Sequence, residues 1–236
     1  MYYGWRKKIG IIFPSTATAP EVEFHRYAPQ GVAILTQRVF FEKADPQGLI
    51  EMGDRAEEAA KILATAQPDL IVYACTAGTL IKGMGYDQEF TQRIEKVCGV
   101  KTLTTSTALL QALKAVNAKR LIVTTPYSSE LNLIQKKFLS DSGFEVLAIE
   151  GLELTNPRMI AKVTIDQMYN LTKKTFNAEA DTVFISCTGL GVLDMIEMTE
   201  SDFKRPVLTS NQVTLWAALR TLGIYNKLPL GSLFEI

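Results

Sequence analysis

The sequence predicts an α/β protein in which two similar halves each carry a parallel sheet. Short apolar runs alternate with stretches of helical periodicity, as expected for strands joined by crossover helices. Two of the strands begin after Asp and end in Cys-Thr, in the segments DLIVYACT and DTVFISCT. The spacing from Pro14 to Cys75 is 61 residues, and the spacing from Pro126 to Cys187 is also 61. The repeated motifs at equal spacing indicate an internal duplication.

The first half contains four runs of strand character separated by stretches of helical spacing. The first run stops at Pro14, and Pro68-Asp69 marks the change from a helical stretch to a buried strand. The helical stretches carry apolar side chains every three or four residues, as amphipathic helices do. The predicted strands are Ile9–Phe13, Gly31–Phe41, Leu70–Ala74 and Val100–Thr104, and the predicted helices are Gly48–Ala66, Gln88–Cys98 and Thr107–Val116.

The second half repeats this order. Its first strand is again closed by a proline, Pro126, and LTSNQVTLWAAL late in this half resembles LTTSTALLQAL late in the first. We therefore divide the chain into domains at 1–117 and 118–236, and the C-terminal segment of each is free to cross to the other. The predicted strands are Arg120–Thr124, Glu145–Ile149, Thr182–Ser186 and Val207–Thr209, and the predicted helices are Glu130–Ser142, Ile165–Asn177 and Gln212–Leu222.

Composition excludes several classes of protein. The 236 residues include 25 Lys+Arg and 25 Asp+Glu. The chain therefore lacks the excess of basic residues that is typical of nucleic-acid-binding proteins. No stretch approaches the roughly 20 apolar residues that span a bilayer. The N-terminal apolar run ends at Pro14, which favours a first strand over a signal peptide. Three cysteines without metal-ligand spacing predict a reduced, cytoplasmic protein with no metal site.

Cys75 and Cys187 stand at the carboxyl ends of strands, where open α/β sheets bind ligands. A pseudo-twofold relation between the halves would bring both turns into one cleft. A helix beginning after each turn is expected to lower the pKa of its thiol from about 8.5, so both should alkylate faster than Cys98. The same turns, with the hydroxyls of Thr76 and Thr188, can hold a substrate carboxylate. The alternative for a free cysteine is a buried apolar role, which fits Cys98.

Two loops, PSTAT and TPYSSELN, follow the first strand of each half and are expected to form the other walls of the cleft. Ser15, Tyr127 and Asn132 are candidate donors to a second carboxylate, and Asn156 in LTNPR is a further candidate. Turn formation or helix capping is the alternative for the Ser and Asn residues. An aromatic residue just after a strand end is expected at a cleft, which favours a functional role for Tyr127.

No nucleotide cofactor is expected. The segment GMGY has only part of the dinucleotide-binding spacing and does not directly follow a strand. The single histidine, His25, has no second histidine or carboxylate cluster to support it, and Arg38 lies in an alternating, strand-like run. Neither residue is assigned a catalytic role.

Taken together, these segments resemble the aspartate/glutamate racemase superfamily, in particular its branch of maleate cis–trans isomerases and arylmalonate decarboxylases. The resemblance runs through IGIIFPS, ACTAGT, LTTSTALLQAL, TPYSSELN, SCTGL and NQVTLWAALR, and covers almost the whole chain. It implies two pseudo-symmetric flavodoxin-like domains with helices on both faces of parallel sheets. It also implies an active site for small carboxylic acids in the cleft between them, with no metal or organic cofactor.

The resemblance also implies roles for individual residues. Cys75 corresponds to the first-domain cysteine, whose thiolate adds to the alkene carbon, and Cys187 to the second-domain cysteine, which handles the proton. Tyr127 corresponds to the tyrosine that hydrogen-bonds the substrate carboxylate, and Asn156 approximates the asparagine of the isomerases. The expected substrate-binding residues are Pro14, Ser15, Thr76, Ala77, Tyr127, Asn132, Asn156, Thr188 and Gly189.

The chain departs at two places from the sequence patterns of the enzymes that it resembles. The isomerase loop usually reads Pro-Ser-Ser-Asn-Thr, whereas here Ala17 replaces the Asn, which removes an expected carboxylate contact. Amino-acid racemases typically carry Cys-Asn-Thr in the first turn and Cys-Thr-Glu in the second. Here the turns read Cys-Thr-Ala and Cys-Thr-Gly, which disfavours an amino-acid substrate.

The leading expectation is a cofactor-independent, maleate-isomerase-like enzyme that acts on a small dicarboxylic acid. A racemase of the aspartate, glutamate or hydantoin type is the first alternative. An arylmalonate-type decarboxylase is a second, although related decarboxylases have Gly in place of the first cysteine. A non-catalytic carboxylate-binding protein is the third. We also expect a homo-oligomer, either a dimer or a tetramer.

Overall fold

Two four-stranded parallel sheets, one from each half of the sequence, form the frame of the molecule. The computed structural model describes residues 2–236. Numbered along the chain, the strands are β1 (Lys7–Pro14), β2 (Val32–Val39), β3 (Leu70–Tyr73), β4 (Thr102–Thr104), β5 (Arg120–Thr125), β6 (Glu145–Gly151), β7 (Thr182–Ile185) and β8 (Val207–Thr209). The strand order is β2-β1-β3-β4 in one sheet and β6-β5-β7-β8 in the other. The predicted fold class and duplication are confirmed.

Eleven α-helices in residues 2–236 connect and cover the strands. They are α1 (Ala19–Tyr27), α2 (Pro46–Asp54), α3 (Ala56–Ala64), α4 (Thr76–Leu80), α5 (Tyr86–Cys98), α6 (Thr105–Ala115), α7 (Ser129–Asp141), α8 (Pro157–Ile160), α9 (Ile165–Thr175), α10 (Ile196–Phe203) and α11 (Ser210–Thr221). No helix within the described residues is long and apolar enough to cross a membrane. The division at 117/118, the cytoplasmic location and the homo-oligomer stay predictions.

The carboxyl ends of β3 and β7 place the two cysteine turns at equivalent positions. Each strand lies second from one end of its sheet, between two parallel neighbours. The parallel ladder continues just beyond each strand, since Ala74 N donates to Ile12 O at 2.7 Å and Ser186 N donates to Thr124 O at 2.8 Å. Because all strands in a sheet run the same way, the residues that follow emerge at the edge where α/β proteins bind ligands.

The aspartates that begin the two repeats hold the opposite ends of these strands. Asp69 accepts a hydrogen bond from Lys8 N at 2.8 Å. Asp181 accepts from Lys119 N at 3.1 Å and from Arg120 N at 2.9 Å. Each carboxylate therefore binds backbone N–H groups at the start of the neighbouring first strand and helps to set the register of the sheet.

Helices α6 and α11, one from each half, pack against one another where the halves meet. Both follow the last strand of their sheet, and both begin with a Thr cap, Thr104 and Thr209. The hydroxyls of Thr105 and Thr214 hydrogen-bond across the pair at 2.9 Å. Residues 210–219 of α11 are all buried, including the polar Ser210, Asn211, Gln212 and Thr214.

Several helices differ from the sequence prediction. The helix predicted over 48–66 is two helices that meet at Arg55, and a Cβ at Gly53 beside this break would lie 3.6 Å from both the Phe90 ring and the Tyr86 hydroxyl. Helix α1 was not predicted, because its buried face includes the carboxyl of Glu23, which interrupts the apolar pattern. Helices α4, α8 and α10 are also additional, and they contain at most eight residues, too few for a clear periodicity.

Replacing Asp181 by alanine should lower the free energy of unfolding by about 1–2 kcal/mol, because two backbone donors lose a charged acceptor. Urea unfolding measures the difference. The matched control is Glu197→Ala, which removes an exposed carboxylate from α10 and should change stability by less than about 0.5 kcal/mol. Equal effects of the two substitutions would contradict the role given to Asp181.

Candidate active site

A small cavity of about 40 Å³ lies between the halves, and both cysteine side chains line it. The loop after β2 and the segment before α8 close over it, since Ala44 N donates to Thr155 O at 3.1 Å. The lining residues are Pro14, Thr16, Ala17, Phe41, Ala44, Leu49, Cys75, Ala77, Tyr127, Leu131, Pro157, Ile160, Cys187, Thr188 and Gly189. The chain therefore brings the two predicted thiols together in one site.

Cys75 is the residue that precedes α4, and its side chain is only 5% exposed. Burial raises the pKa of the Cys75 thiol to about 12, because a thiolate there would lose its hydration. The backbone N–H of Gly78 acts in the opposite direction, while charge on Cys187 raises the pKa further. The two thiols therefore influence one another, and the state in which both are thiolates at once is disfavoured.

Cys187 has a different backbone and more hydrogen-bond donors. Its φ of +136° lies in the region that favours glycine, and no α-helix begins directly after it. Burial raises the pKa of the Cys187 thiol, but the Tyr127 hydroxyl and the N–H groups of Gly189 and Leu190 act to lower it. Gly189 N lies 3.3 Å from Cys187 Sγ. Three donors thus favour the Cys187 thiolate, against one for Cys75.

The expectation that both turns lower the pKa of their thiols is wrong for the closed site. Both thiols are nine-tenths or more buried, and the loss of hydration outweighs the nearby N–H groups. The helix that follows Cys75 has only five residues, and Cys187 is followed by an irregular turn. The electrostatic effect of a helix N-terminus on the thiol is therefore weak at Cys75 and absent at Cys187.

Hydroxyl groups join the two cysteine turns to one another. Thr188 Oγ1 donates to Ala74 O at 3.0 Å, across from one half to the other. Thr76 Oγ1 donates to Ser210 Oγ at 2.8 Å, and the same Ser210 oxygen accepts from Cys187 N at 2.9 Å. All these groups are buried. The relative placement of the thiols is thus set by bonds between the halves.

Five of the nine predicted substrate-binding residues line the cavity, namely Pro14, Ala77, Tyr127, Thr188 and Gly189. The other four, Ser15, Thr76, Asn132 and Asn156, are absent from its lining. Thr76 reaches Ser210 instead, and Ser15 Oγ accepts from Phe41 N at 3.1 Å. Their roles as substrate ligands stay predictions that the packing does not favour.

The two asparagines have structural bonds of the kind considered as the alternative. Asn132 is buried and accepts from Thr125 Oγ1 at 2.7 Å, which holds the loop after β5. Asn156 caps α8 by accepting from Arg158 N at 2.9 Å. Its neighbour Pro157 lines the cavity, so the segment is close to the site although the amide is not.

An apolar wall forms the part of the cavity that the sequence did not reveal. Its residues come from loops and helices of both halves, and no single motif contains them. They are Phe41, Ala44, Leu49, Leu131, Pro157 and Ile160. Ala17 also lines the cavity and adds to its apolar surface. Only Thr16, Tyr127 and Thr188 bring side-chain hydroxyls to the lining.

A buried carboxyl group outside the cavity supports the Cys187 turn. Glu23 of α1 accepts from Leu193 N at 3.1 Å and from Asn211 Nδ2 at 2.5 Å. The same amide lies 3.1 Å from Thr188 O and 3.3 Å from Leu190 O. Burial raises the pKa of Glu23 to about 7. No sequence motif indicates this network, because Glu23 is more than 160 residues from its partners along the chain.

His25 and Arg38 lie outside the cavity lining. Arg38 donates to Ser15 O at 2.9 Å and to Ala17 O at 2.8 Å, and pairs with Glu21. It therefore holds the loop after β1 in place. Within residues 2–236, no three His, Cys, Asp or Glu side chains come together in a way that could hold a metal ion.

Thiol labelling should follow exposure in the ligand-free protein. At pH 7.5, Cys98, which is partly exposed, should react with iodoacetamide before the buried Cys75 and Cys187. Mass spectrometry of peptides at increasing times measures the order, and labelling in urea is the control because all three thiols are then accessible. Faster labelling of either buried thiol would show that the site is open in solution.

Stability should depend on the ionisation of Glu23. Its folded pKa of about 7 lies above the usual 4.5, so the folded protein holds the extra proton between these values and stability falls as pH rises through this window. Glu23→Gln removes the buried charge, so its stability relative to the parent should improve by at most about 3 kcal/mol from pH 5 to pH 8.

Urea unfolding at the two pH values measures this change. Glu21→Gln on the same helix is the control, because the hydrogen bond from Arg38 lowers the pKa of Glu21. That carboxyl is already ionised at pH 5, so its substitution should have the same effect at both pH values. A pH-independent effect of Glu23→Gln would contradict the assignment.

Comparison with known proteins agrees with this geometry. The chain is 24% identical over 233 residues to maleate isomerase of Nocardia farcinica, covering 94% of this chain and 93% of the relative. It is 24% identical over 217 residues to arylmalonate decarboxylase of Bordetella bronchiseptica, covering 91% and 90%. A crystal structure of a maleate isomerase variant from Pseudomonas putida with maleate superposes with a TM-score of 0.93 at 23% identity, covering 97% of both chains.

A second solved structure is a Nocardia farcinica maleate cis–trans isomerase variant with a covalently bound succinylcysteine intermediate. It superposes with a TM-score of 0.91 at 22% identity, covering 97% of this chain and 98% of that chain. The family model for arylmalonate decarboxylase matches residues 9–233. With this match over nearly its whole length, the chain belongs to the arylmalonate decarboxylase family.

Proposed function

We propose that the chain is a cofactor-independent cis–trans isomerase that acts on a small cis-unsaturated carboxylic acid through Cys75 and Cys187. The observation that carries this proposal is the presence of two buried thiols on one cavity, each from an equivalent turn. Maleate isomerases are among the relatives of the chain, and one of their structures holds a succinylcysteine intermediate. Decarboxylation that uses only one cysteine would give Cys75 no role in the reaction.

The proposed reaction begins with a proton transfer between the thiols. The donors around Cys187 favour its thiolate, which takes the proton of Cys75 as the Cys75 sulfur forms a bond to one alkene carbon. The π electrons move to the neighbouring carbon and into its carboxylate, and the Cys187 thiol then protonates that carbon. No charge has to leave the closed site, which suits a cavity where a second thiolate is disfavoured.

Rotation about the new single bond then precedes reversal of these steps. The Cys187 thiolate removes a proton from the same carbon, the carbon–sulfur bond breaks, and the electron pair returns to the Cys75 sulfur as the trans double bond forms. The Cys75 sulfur then takes its proton back from Cys187, which restores the starting state. Atoms and electrons balance, so no oxidant or cofactor is consumed. Among the hydroxyl residues of the lining, Thr16 is suited to hold the carboxylate that takes up negative charge, because the Thr188 hydroxyl already donates to Ala74 O and the Tyr127 hydroxyl to Cys187.

The apolar wall bears on the identity of the substrate. A second carboxylate against Phe41, Leu131 and Ile160 would lose its hydration without gaining a donor, at a cost of several kcal/mol. Both carboxylates of a diacid therefore have to lie on the side of the thiols, hydroxyls and backbone N–H groups, and the wall fits an alkyl substituent on the alkene. We therefore expect an alkyl-substituted maleate to be a better substrate than maleate itself.

Decarboxylation of a substituted malonate is the second candidate function, and the same wall favours it. A carboxylate held against apolar side chains is destabilised relative to carbon dioxide, while Cys187 is placed to protonate the carbon left behind. This reaction uses one thiol. The two candidates thus differ in whether Cys75 is needed.

Turnover of maleate and methylmaleate, followed by proton NMR, should give the trans acids, with a higher kcat/KM for methylmaleate. Cys75→Ser and Cys187→Ser should each lower kcat by at least about 100-fold, because each removes a reacting group. Cys98→Ser is the matched control and should keep full activity, since Cys98 lies outside the cavity lining.

Phenylmalonate supplies the opposing test. Release of carbon dioxide that survives Cys75→Ser but not Cys187→Ser, with no isomerisation of either maleate, would replace the isomerase proposal by the decarboxylase. Binding of these acids without turnover of any of them would contradict both.

A further inference from the structure

A buried hydroxyl beside Cys75 has no hydrogen-bond partner. Tyr73 is the last residue of β3, two positions before Cys75, and is 1% exposed. Within residues 2–236, its hydroxyl oxygen is one of the few buried side-chain atoms that lack a partner. Such groups are rare in folded proteins because their lost hydration is not replaced. The unpaired hydroxyl therefore needs an explanation.

Gly78 shows where this hydroxyl points. A Cβ atom at Gly78 would lie 3.0 Å from Cys75 Sγ and 3.2 Å from the Tyr73 hydroxyl oxygen. The thiol and the phenol therefore converge on the same side of the first turn of α4, and a side chain at position 78 would crowd both. Tyr73 does not line the cavity, so its hydroxyl approaches Cys75 from the protein side.

Packing explains the ring of Tyr73 but not its hydroxyl. The ring lies against Phe90 with centroids 4.5 Å apart, and a phenylalanine would keep this contact without burying a polar atom. The ionised form of Cys75, in turn, has a single donor in the Gly78 N–H, whereas Cys187 has three. The Tyr73 hydroxyl, a donor without a partner, thus lies near the Cys75 sulfur, whose thiolate form has only one donor.

We propose that Tyr73 is a positioning residue for Cys75, and that its hydroxyl donates a hydrogen bond to the Cys75 thiolate when that thiolate forms. The first half would then match the second, where Tyr127 serves Cys187. No covalent step involves Tyr73, which keeps its own proton throughout: burial and the charge of Cys75 hold the pKa of its phenol well above the usual value. The inference rests on the proposed function in that Cys75 acts as a thiolate, but its test needs no substrate.

The experiment measures the reactivity of Cys75 alone. In a Cys98→Ser/Cys187→Ser background, the rate of alkylation by iodoacetamide between pH 8 and pH 9.5 is proportional to the thiolate fraction of Cys75. Adding Tyr73→Phe should slow this reaction about tenfold at each pH, the effect of losing one hydrogen bond to a charged group. The substitution removes an atom, so a slower reaction cannot come from a narrower path to the sulfur.

Tyr86→Phe is the matched control. Tyr86 also buries an unpaired hydroxyl and packs on Phe90, with centroids 6.1 Å apart, but its hydroxyl lies beside Gly53. Its substitution should leave the alkylation rate unchanged, and both variants should melt at or above the parent temperature. An unchanged rate for Tyr73→Phe, or equal slowing in both variants, would overturn the proposal. Either result would leave the isomerase proposal standing, because that is decided by turnover of the acids.

Discussion

The hydrogen bonds between the two cysteine turns fix the geometry on which the site depends. Thr188 reaches the backbone just before Cys75, and Thr76 reaches Ser210, which also holds the N–H of Cys187. Each bond is buried, so breaking one would leave a polar group without water or partner. The thiols are therefore held relative to one another without a disulfide bond. The reactive geometry belongs to the interface and to neither half alone.

The cavity is asymmetric in polarity, and this asymmetry links the site to its chemistry. Hydroxyls and backbone N–H groups lie beside the thiols, whereas apolar side chains form the opposite wall. Charge that develops near the thiols meets oriented donors in a poorly hydrated space, where such interactions are stronger than in water. Both sulfurs are buried, which suits the proposed transfer of protons between them and a substrate.

Sequence reasoning succeeded where a feature is local along the chain and failed where it arises from the assembly of both halves. Strand ends, Cys-Thr turns and equal spacing placed Cys75 and Cys187 on one edge of related sheets, which the structure confirms. The wall around Phe41 and Ile160 joins residues that are more than 100 positions apart, so no motif contains it. The direction of the thiol pKa depends on closure of the cavity, which the sequence of a turn does not report. The buried carboxyl of Glu23 was not predicted for a similar reason, since it becomes buried only when α1 packs against the other half.

At Cys187, the backbone conformation lowers the stability of the protein, while the side chain is needed for the proposed reaction. Its φ of +136° is one that glycine adopts freely and that a residue with a side chain adopts at a cost of about 1–3 kcal/mol. Glycine at this position would relax the turn, and it would also remove the thiol to which we assign the proton transfers. Selection of this protein for heat resistance alone would thus favour variants that have lost the thiol, so any thermostabilisation by directed evolution has to screen for turnover at the same time.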